Sequence, residues 1–203
     1  MVSTFIVVFA AYALGCFSAG YYLVYFYSRK DVREFGSAST GATNVGRQLG
    51  TSGFLTTLLI DGTKGALGVW AAQSMGFDAA RAMLILIAVV AGHIWPLQLR
   101  RRGGKGIAPA LGGILLFDYR LAAALILVCT VGYGFTRRFT LSGLVAVTLS
   151  PIVAMVLGYS DVVIPLLALA LVILIAHREN LQEIFAWKST RGAKNHTLSK
   201  EDA

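Results

Sequence analysis

The chain reads as an all-α, polytopic membrane protein of about seven transmembrane helices, its N-terminus outside and its C-terminus cytoplasmic. Three observations predict this. Its 203 residues are 56% hydrophobic and only 14% charged, against about 25% charged in soluble domains. Its apolar residues gather in long runs, as bilayer spans do. Its basic residues segregate to alternate connections between those runs.

The runs fall at about 4–27, 53–74, 82–99, 106–117, 120–136, 141–158 and 161–177. A helix rises about 1.5 Å per residue and a span needs about 20 residues. The first two runs meet that length, and the third, sixth and seventh lie near its lower limit. The first has no basic leader segment and is long, so it reads as a retained span and not a cleaved signal. The run 106–117 reaches only about 18 Å as a helix, which makes it a short tilted span or a re-entrant half-helix. Five or six full spans is the alternative count. The spans form one helical domain, 1–189, and the polar residues 190–203 read as a cytoplasmic tail.

With seven crossings, only Arg81 and Arg120 of the 18 basic residues fall outside, and Lys64 lies within a span. The other fifteen lie inside, which fixes the orientation by the positive-inside rule. The formal net charge of +8 is then explained by cytoplasmic loops beside anionic headgroups. No basic and aromatic stripe suggests a nucleic-acid partner. Cys16 and Cys129 both sit in apolar runs, where free cysteine packs as a small hydrophobe. No metal-ligand spacing is present.

Three polar clusters interrupt the apolar pattern: Gly36 to Arg47, Gly103-Gly104-Lys105-Gly106, and His177-Arg178-Glu179-Asn180. Such residues at a membrane boundary are costly and are functional candidates. The orientation above brings all three to the cytoplasmic face. In the first, Ser37, Thr43 and Asn44 can donate to an anion, and Arg47 offers a fork matched to phosphate oxygens. In the second, successive N–H groups can form an anion nest at a helix start, with Lys105 adding a full charge. It is not a nucleotide-binding P-loop, because Leu99 stands where that pattern needs glycine. In the third, His177 can orient a hydroxyl or take its proton. Asp61 and Lys64 share a face of the second run at i,i+3 spacing. His93 precedes Pro96 and is read as an interhelical hydrogen bonder or a site residue. No nucleophile elbow, paired catalytic carboxylates or metalloprotease motif appears, so the site is built to bind anions without a covalent intermediate.

Together, in this order, the motifs resemble those of the bacterial membrane acyltransferases that use acyl phosphate to acylate glycerol 3-phosphate. The matching stretches are Gly36 to Arg47, Asp61-Gly62-Thr63-Lys64-Gly65, Gly92 to Pro96, Gly103 to Ala108, and His177 to Asn180. The resemblance covers residues 1 to about 185. It implies transfer of a fatty acyl group to the 1-hydroxyl of glycerol 3-phosphate, giving lysophosphatidic acid and phosphate at a bacterial cytoplasmic membrane, with no cofactor. It implies catalytic roles for Ser37, Asn44, Arg47, His177 and Asn180. Thr43, Lys64, His93, Gly103, Gly104, Lys105, Gly106 and Arg178 would bind substrate or phosphate. Ala38 and Ser39 stand where the family usually has Gly-Asn, Pro109 where it has Thr, and Glu183 where a basic residue is expected. Those departures leave a non-catalytic paralogue as an alternative, beside a transporter of a phosphorylated solute.

Overall fold

The computed structural model describes residues 4–180 and Gln182. The tail 190–203 and Glu183 lie outside the described residues. Among the described residues there are eight α-helices and no strand: α1 (Thr4–Cys16), α2 (Ala19–Ser28), α3 (Ala42–Ser74), α4 (Ala79–Ile94), α5 (Ile107–Phe117), α6 (Tyr119–Thr136), α7 (Phe139–Val156) and α8 (Val163–Ala176). Four segments are long and apolar enough to cross a membrane: Thr4–Ser28, Ala79–Leu99, Tyr119–Thr136 and Phe139–Val156. The surface is that of a protein solvated by lipid: Phe5 and Phe135 are each 87% exposed and Ile164 is 78% exposed. The exterior is apolar as in lipid-facing helices, and the mainly apolar interior also holds polar residues, among them Asp61, Lys64 and His93.

The first apolar run is not one helix. It breaks at Phe17–Ser18 into α1 and α2. A break inside a bilayer leaves carbonyls that must find donors within the protein. They do. Lys64 donates to Gly15 O at 3.1 Å and to Phe17 O at 2.7 Å, and Gln98 Nε2 donates to Cys16 O. The ammonium also sits at the negative end of the α1 dipole. The second run starts earlier than its apolar stretch suggests, because the polar residues from Ala42 already belong to α3. That helix is kinked at Gly50, whose φ of 70° and ψ of −163° are non-helical.

Helix α4 is the hub and packs against α1, α3, α5 and α8. Small residues let backbones touch, as in membrane helix pairs generally. A Cβ on Gly65 of α3 would lie 1.9 Å from Pro109 O of α5, and one on Gly112 of α5 would lie 2.0 Å from Gly62 O. The main apolar cluster joins Met83, Leu86 and Val90 of α4 to Ile114, Leu166 and Ile173. In α7, Pro151 cannot donate to Val147 O, and the neighbouring Ser150 Oγ supplies that bond at 2.7 Å. Helix α5 has 11 residues, about 16 Å of rise, and stops at Asp118, which caps α6 by accepting from Arg120 N and Leu121 N.

Candidate active site

The three polar clusters meet at one end of the bundle. The link between the first and second is backbone: Thr40 N donates to Gly103 O at 3.2 Å. Arg33 adds a strap, donating from Nη1 to Leu99 O at 2.8 Å while its other nitrogens grip Asp31. The Arg33 guanidinium holds the Asp31 carboxyl below the usual carboxylate range. The link between the second and third clusters is a side-chain bond: Lys105 Nζ donates to Asn180 Oδ1. His177 is nearby and buried, one residue past α8.

His177 Nδ1 lies 2.9 Å from Ile173 O. A carbonyl only accepts, so Nδ1 carries the proton and Nε2 of the neutral ring carries a lone pair. Burial pushes the imidazole below its ordinary pKa, the Ile173 carbonyl opposes this, and the Lys105 charge lowers it further. The ring is therefore neutral at pH 7 and can accept a proton at Nε2.

Asn44 shapes the first cluster from within. Its amide nitrogen donates to Val32 O at 2.9 Å, Phe35 O at 3.0 Å and Ser39 O at 2.9 Å, and its Oδ1 accepts from Ser37 N at 3.1 Å. The polar atoms of Asn44 are thus engaged with the loop, which corrects the expectation that they face a ligand. Gly36, with a φ of +57°, lies against this amide; a Cβ there would fall 2.2 Å from Asn44 Oδ1 and 3.2 Å from Arg47 Nη1. Arg47 and Thr43 are exposed on the first turns of α3, and Ser37 is half-buried. Arg178 is exposed at the end of the third cluster.

Two further expectations change. Gly103 N donates to Ile94 O at 3.1 Å and Gly104 N to His93 O at 3.0 Å. Those amides are committed to the end of α4 and are not free for the expected nest; the first turn of α5 offers Ile107 N and Ala108 N, which have no acceptor within the helix, while Pro109 has no N–H. Lys64 and His93 do not reach the surface. Lys64 Nζ contacts Asp61 Oδ1 at 2.8 Å and His93 Nδ1 at 2.8 Å, besides the two α1 carbonyls. Both are buried, in place of the surface position expected of them. The sequence reading missed Arg33 and Thr40. Thr40 had a signal, its place in the small-residue cluster; Arg33 had none.

A family model described as glycerol-3-phosphate acyltransferase matches residues 5–187. The chain belongs to the glycerol-3-phosphate acyltransferase family. It is 47% identical to glycerol-3-phosphate acyltransferase 1 of Desulfitobacterium hafniense over 192 residues, 94% of this chain and 95% of that one. It is 35% identical to a protein of the same name from Bacillus cereus, over 84% of this chain and 92% of that one. Its fold is similar to the crystal structure of PlsY (YgiH), an integral membrane glycerol 3-phosphate acyltransferase, in its glycerol 3-phosphate form. That match has a TM-score of 0.83 at 29% identity and covers 90% of this chain and 92% of the other. The lysophosphatidic acid form of PlsY matches with a TM-score of 0.80 at 28% identity, with the same coverage. Family membership makes this an integral membrane acyltransferase, in keeping with its apolar exterior.

Proposed function

We propose that the enzyme moves a fatty acyl group from acyl phosphate to the 1-hydroxyl of glycerol 3-phosphate, on the cytoplasmic face of a bacterial cytoplasmic membrane. That glycerol 3-phosphate is acylated follows from the family; the donor, the site residues and the membrane face are our reading. In that reading α1 and α2 form one broken span and the chain crosses seven times, N-terminus outside. The segregation of basic residues supports the orientation.

The observation that carries the reading is the meeting of Lys105, Asn180 and His177 beside the start of α5. A lysine and a helix N-terminus together suit a phosphate. A neutral imidazole with its lone pair at Nε2 suits a hydroxyl proton. An acyl phosphate is a mixed anhydride and is already activated, so no enzyme nucleophile is required. The hydroxyl oxygen attacks the acyl carbon, the bond from that carbon to the phosphate oxygen breaks, and inorganic phosphate leaves. The hydroxyl proton goes to the leaving phosphate, directly or through His177 Nε2. The enzyme's part is to orient the two substrates and offset the charge on the leaving group. Arg47, Ser37 and Thr43 face the same end of the bundle and complete the anion-binding surface; Asn44 holds the loop that carries them.

The test is an assay of purified protein in lipid with acyl phosphate, acyl coenzyme A and an acyl carrier thioester as competing donors. Phosphate release from acyl phosphate that requires glycerol 3-phosphate is expected. Transfer from a thioester, with none from acyl phosphate, contradicts the donor assignment.

A further inference from the structure

The Asp61–Lys64–His93 cluster lies beneath the phosphate loop, and the chemistry above does not use it. It is an unusual thing to bury. The Asp61 and Lys64 side chains are 2% and 4% exposed, and a buried ion pair is often no more stabilising than apolar packing. Satisfying the carbonyls at the α1–α2 break requires a donor but no imidazole. His93 needs another reason.

That reason is above it. Lys64 Nζ lies 2.8 Å and Asp61 Oδ1 3.5 Å from His93 Nδ1, so that edge of the ring is held by the ion pair and the Nε2 edge points away from it. The Nε2 edge stands against Gly104. A Cβ on Gly104 would fall 2.0 Å from Nε2, 2.5 Å from Cε1 and 2.9 Å from Cδ2, all atoms of this one side chain. The backbone of the same residue holds the loop too. His93 O accepts from Gly104 N at 3.0 Å, and a Cβ on Gly103 would fall 2.1 Å from His93 O. The glycines directly before Lys105 therefore rest on His93 through both its ring and its carbonyl. The ring is in turn fixed by an ammonium that Asp61, Gly15 and Phe17 hold in place.

We propose that His93, oriented by Lys64 and Asp61, is a positioning residue for the phosphate loop: it sets the seat of Gly103–Gly104 and so the placement of Lys105 and the α5 N-terminus against the substrate phosphate. This rests on the reading of that loop as a phosphate site. His93 touches no substrate in this account. Removing its ring opens a space under Gly104, into which the turn relaxes. A displacement of about 1 Å at a site of this kind costs on the order of 100-fold in rate.

The test is a cycle of His93→Ala, Gly104→Ala and the double variant. It is read by steady-state kinetics for both substrates and by the shift in melting temperature that glycerol 3-phosphate induces. His93→Ala is expected to raise the KM for glycerol 3-phosphate by about tenfold or more, as Lys105→Ala does, and to leave the KM of the acyl donor unchanged. Gly104→Ala is expected to be severe alone, yet to add less than about threefold on top of His93→Ala, because the missing ring vacates the Cβ position. His93→Val, which stays apolar but does not reach the far edge of the ring that Gly104 meets, replaces His93→Ala if the latter folds poorly. Losses that simply multiply, or a His93 variant whose folded fraction falls while both KM values hold, overturn the proposal. The thermal shift separates this from the function itself. Wild-type protein that binds glycerol 3-phosphate but takes no acyl group from acyl phosphate refutes the donor. A His93 variant with wild-type affinity refutes the positioning role.

Discussion

Replacing Asn44 with Ala removes the carboxamide that holds residues 32–39 in one shape, two N–H donors shared among three carbonyls and one oxygen that accepts from Ser37 N. The carbonyls of Val32, Phe35 and Ser39 and the N–H of Ser37 lose their partner. Each bond is worth about 1 kcal/mol net. Ser37 and Phe35 are only half-buried, so water takes over part of their loss, and about 2–3 kcal/mol of loop order remains at stake. At about 1.4 kcal/mol per factor of ten, the ordered population falls by up to about 30- to 150-fold. Activity falls with it if only the ordered loop is competent. Val32 of this segment is buried with Val24 of α2 and Val45 of α3, so part of the loss should also appear as a lower melting temperature in detergent. Asn44→Asp keeps the acceptor for Ser37 N but turns a second acceptor toward three carbonyls, so it should be at least as damaging. The assay pairs phosphate release with amide hydrogen exchange over 31–41. Full activity in Asn44→Ala refutes the reasoning. So does lost activity with unchanged exchange, which would mean that Asn44 acts on substrate directly.

Lys105→Ala, Asn180→Ala and His177→Ala should each lower phosphate release by about 100-fold or more while folded protein is retained; size-exclusion profiles and initial rates check both halves. Gly65→Ala places a methyl 1.9 Å from Pro109 O and should destabilise the α3–α5 crossing by about 1–3 kcal/mol or more. Gly134→Ala and Gly143→Ala, where a Cβ meets nothing within 4 Å, should instead stabilise by about 0.5–1 kcal/mol; thermal unfolding in one detergent ranks all three. The Tyr159 hydroxyl donates to Asp118 Oδ2 at 2.6 Å, holding that carboxyl below its ordinary pKa and raising the phenol's. The bond therefore contributes fully between about pH 4 and pH 10. It fades as pH falls through the lowered pKa of Asp118 or rises through the raised pKa of Tyr159. The stability gap between wild type and Tyr159→Phe should be flat in that window and shrink outside it; a gap that widened on acidification contradicts the assignment.

How much of this was legible in the sequence depended on whether a feature is local. Helix α5 was readable almost to the residue, because Gly106 and Asp118 bracket an apolar run with their own cap chemistry. The convergence of the polar clusters on one face followed from counting charges between runs. The break at Phe17–Ser18 was not readable: no proline marks it, and the groups that make it tolerable, Lys64 and Gln98, lie far along the chain. Residues 42–49 looked like loop by composition, yet they form the first turns of α3, where Asn44 and Val45 face inward. The glycines at 103 and 104 were recognised, but their reason was not. A glycine needed to approach a ligand and one needed to clear an imidazole look the same in sequence, and only the packing of α4 against the loop tells them apart. Asp61 and Lys64 were visible as a same-face pair, whereas their third partner, His93, comes from another helix.

A structure of the protein with glycerol 3-phosphate bound decides whether three distant stretches of chain build one pocket for a phosphorylated acceptor. The ligand's phosphate is expected at the start of α5, within hydrogen-bond reach of Lys105, with its free hydroxyl toward His177 Nε2. A ligand seated elsewhere in the bundle, contacting neither Lys105 nor His177, would contradict that expectation.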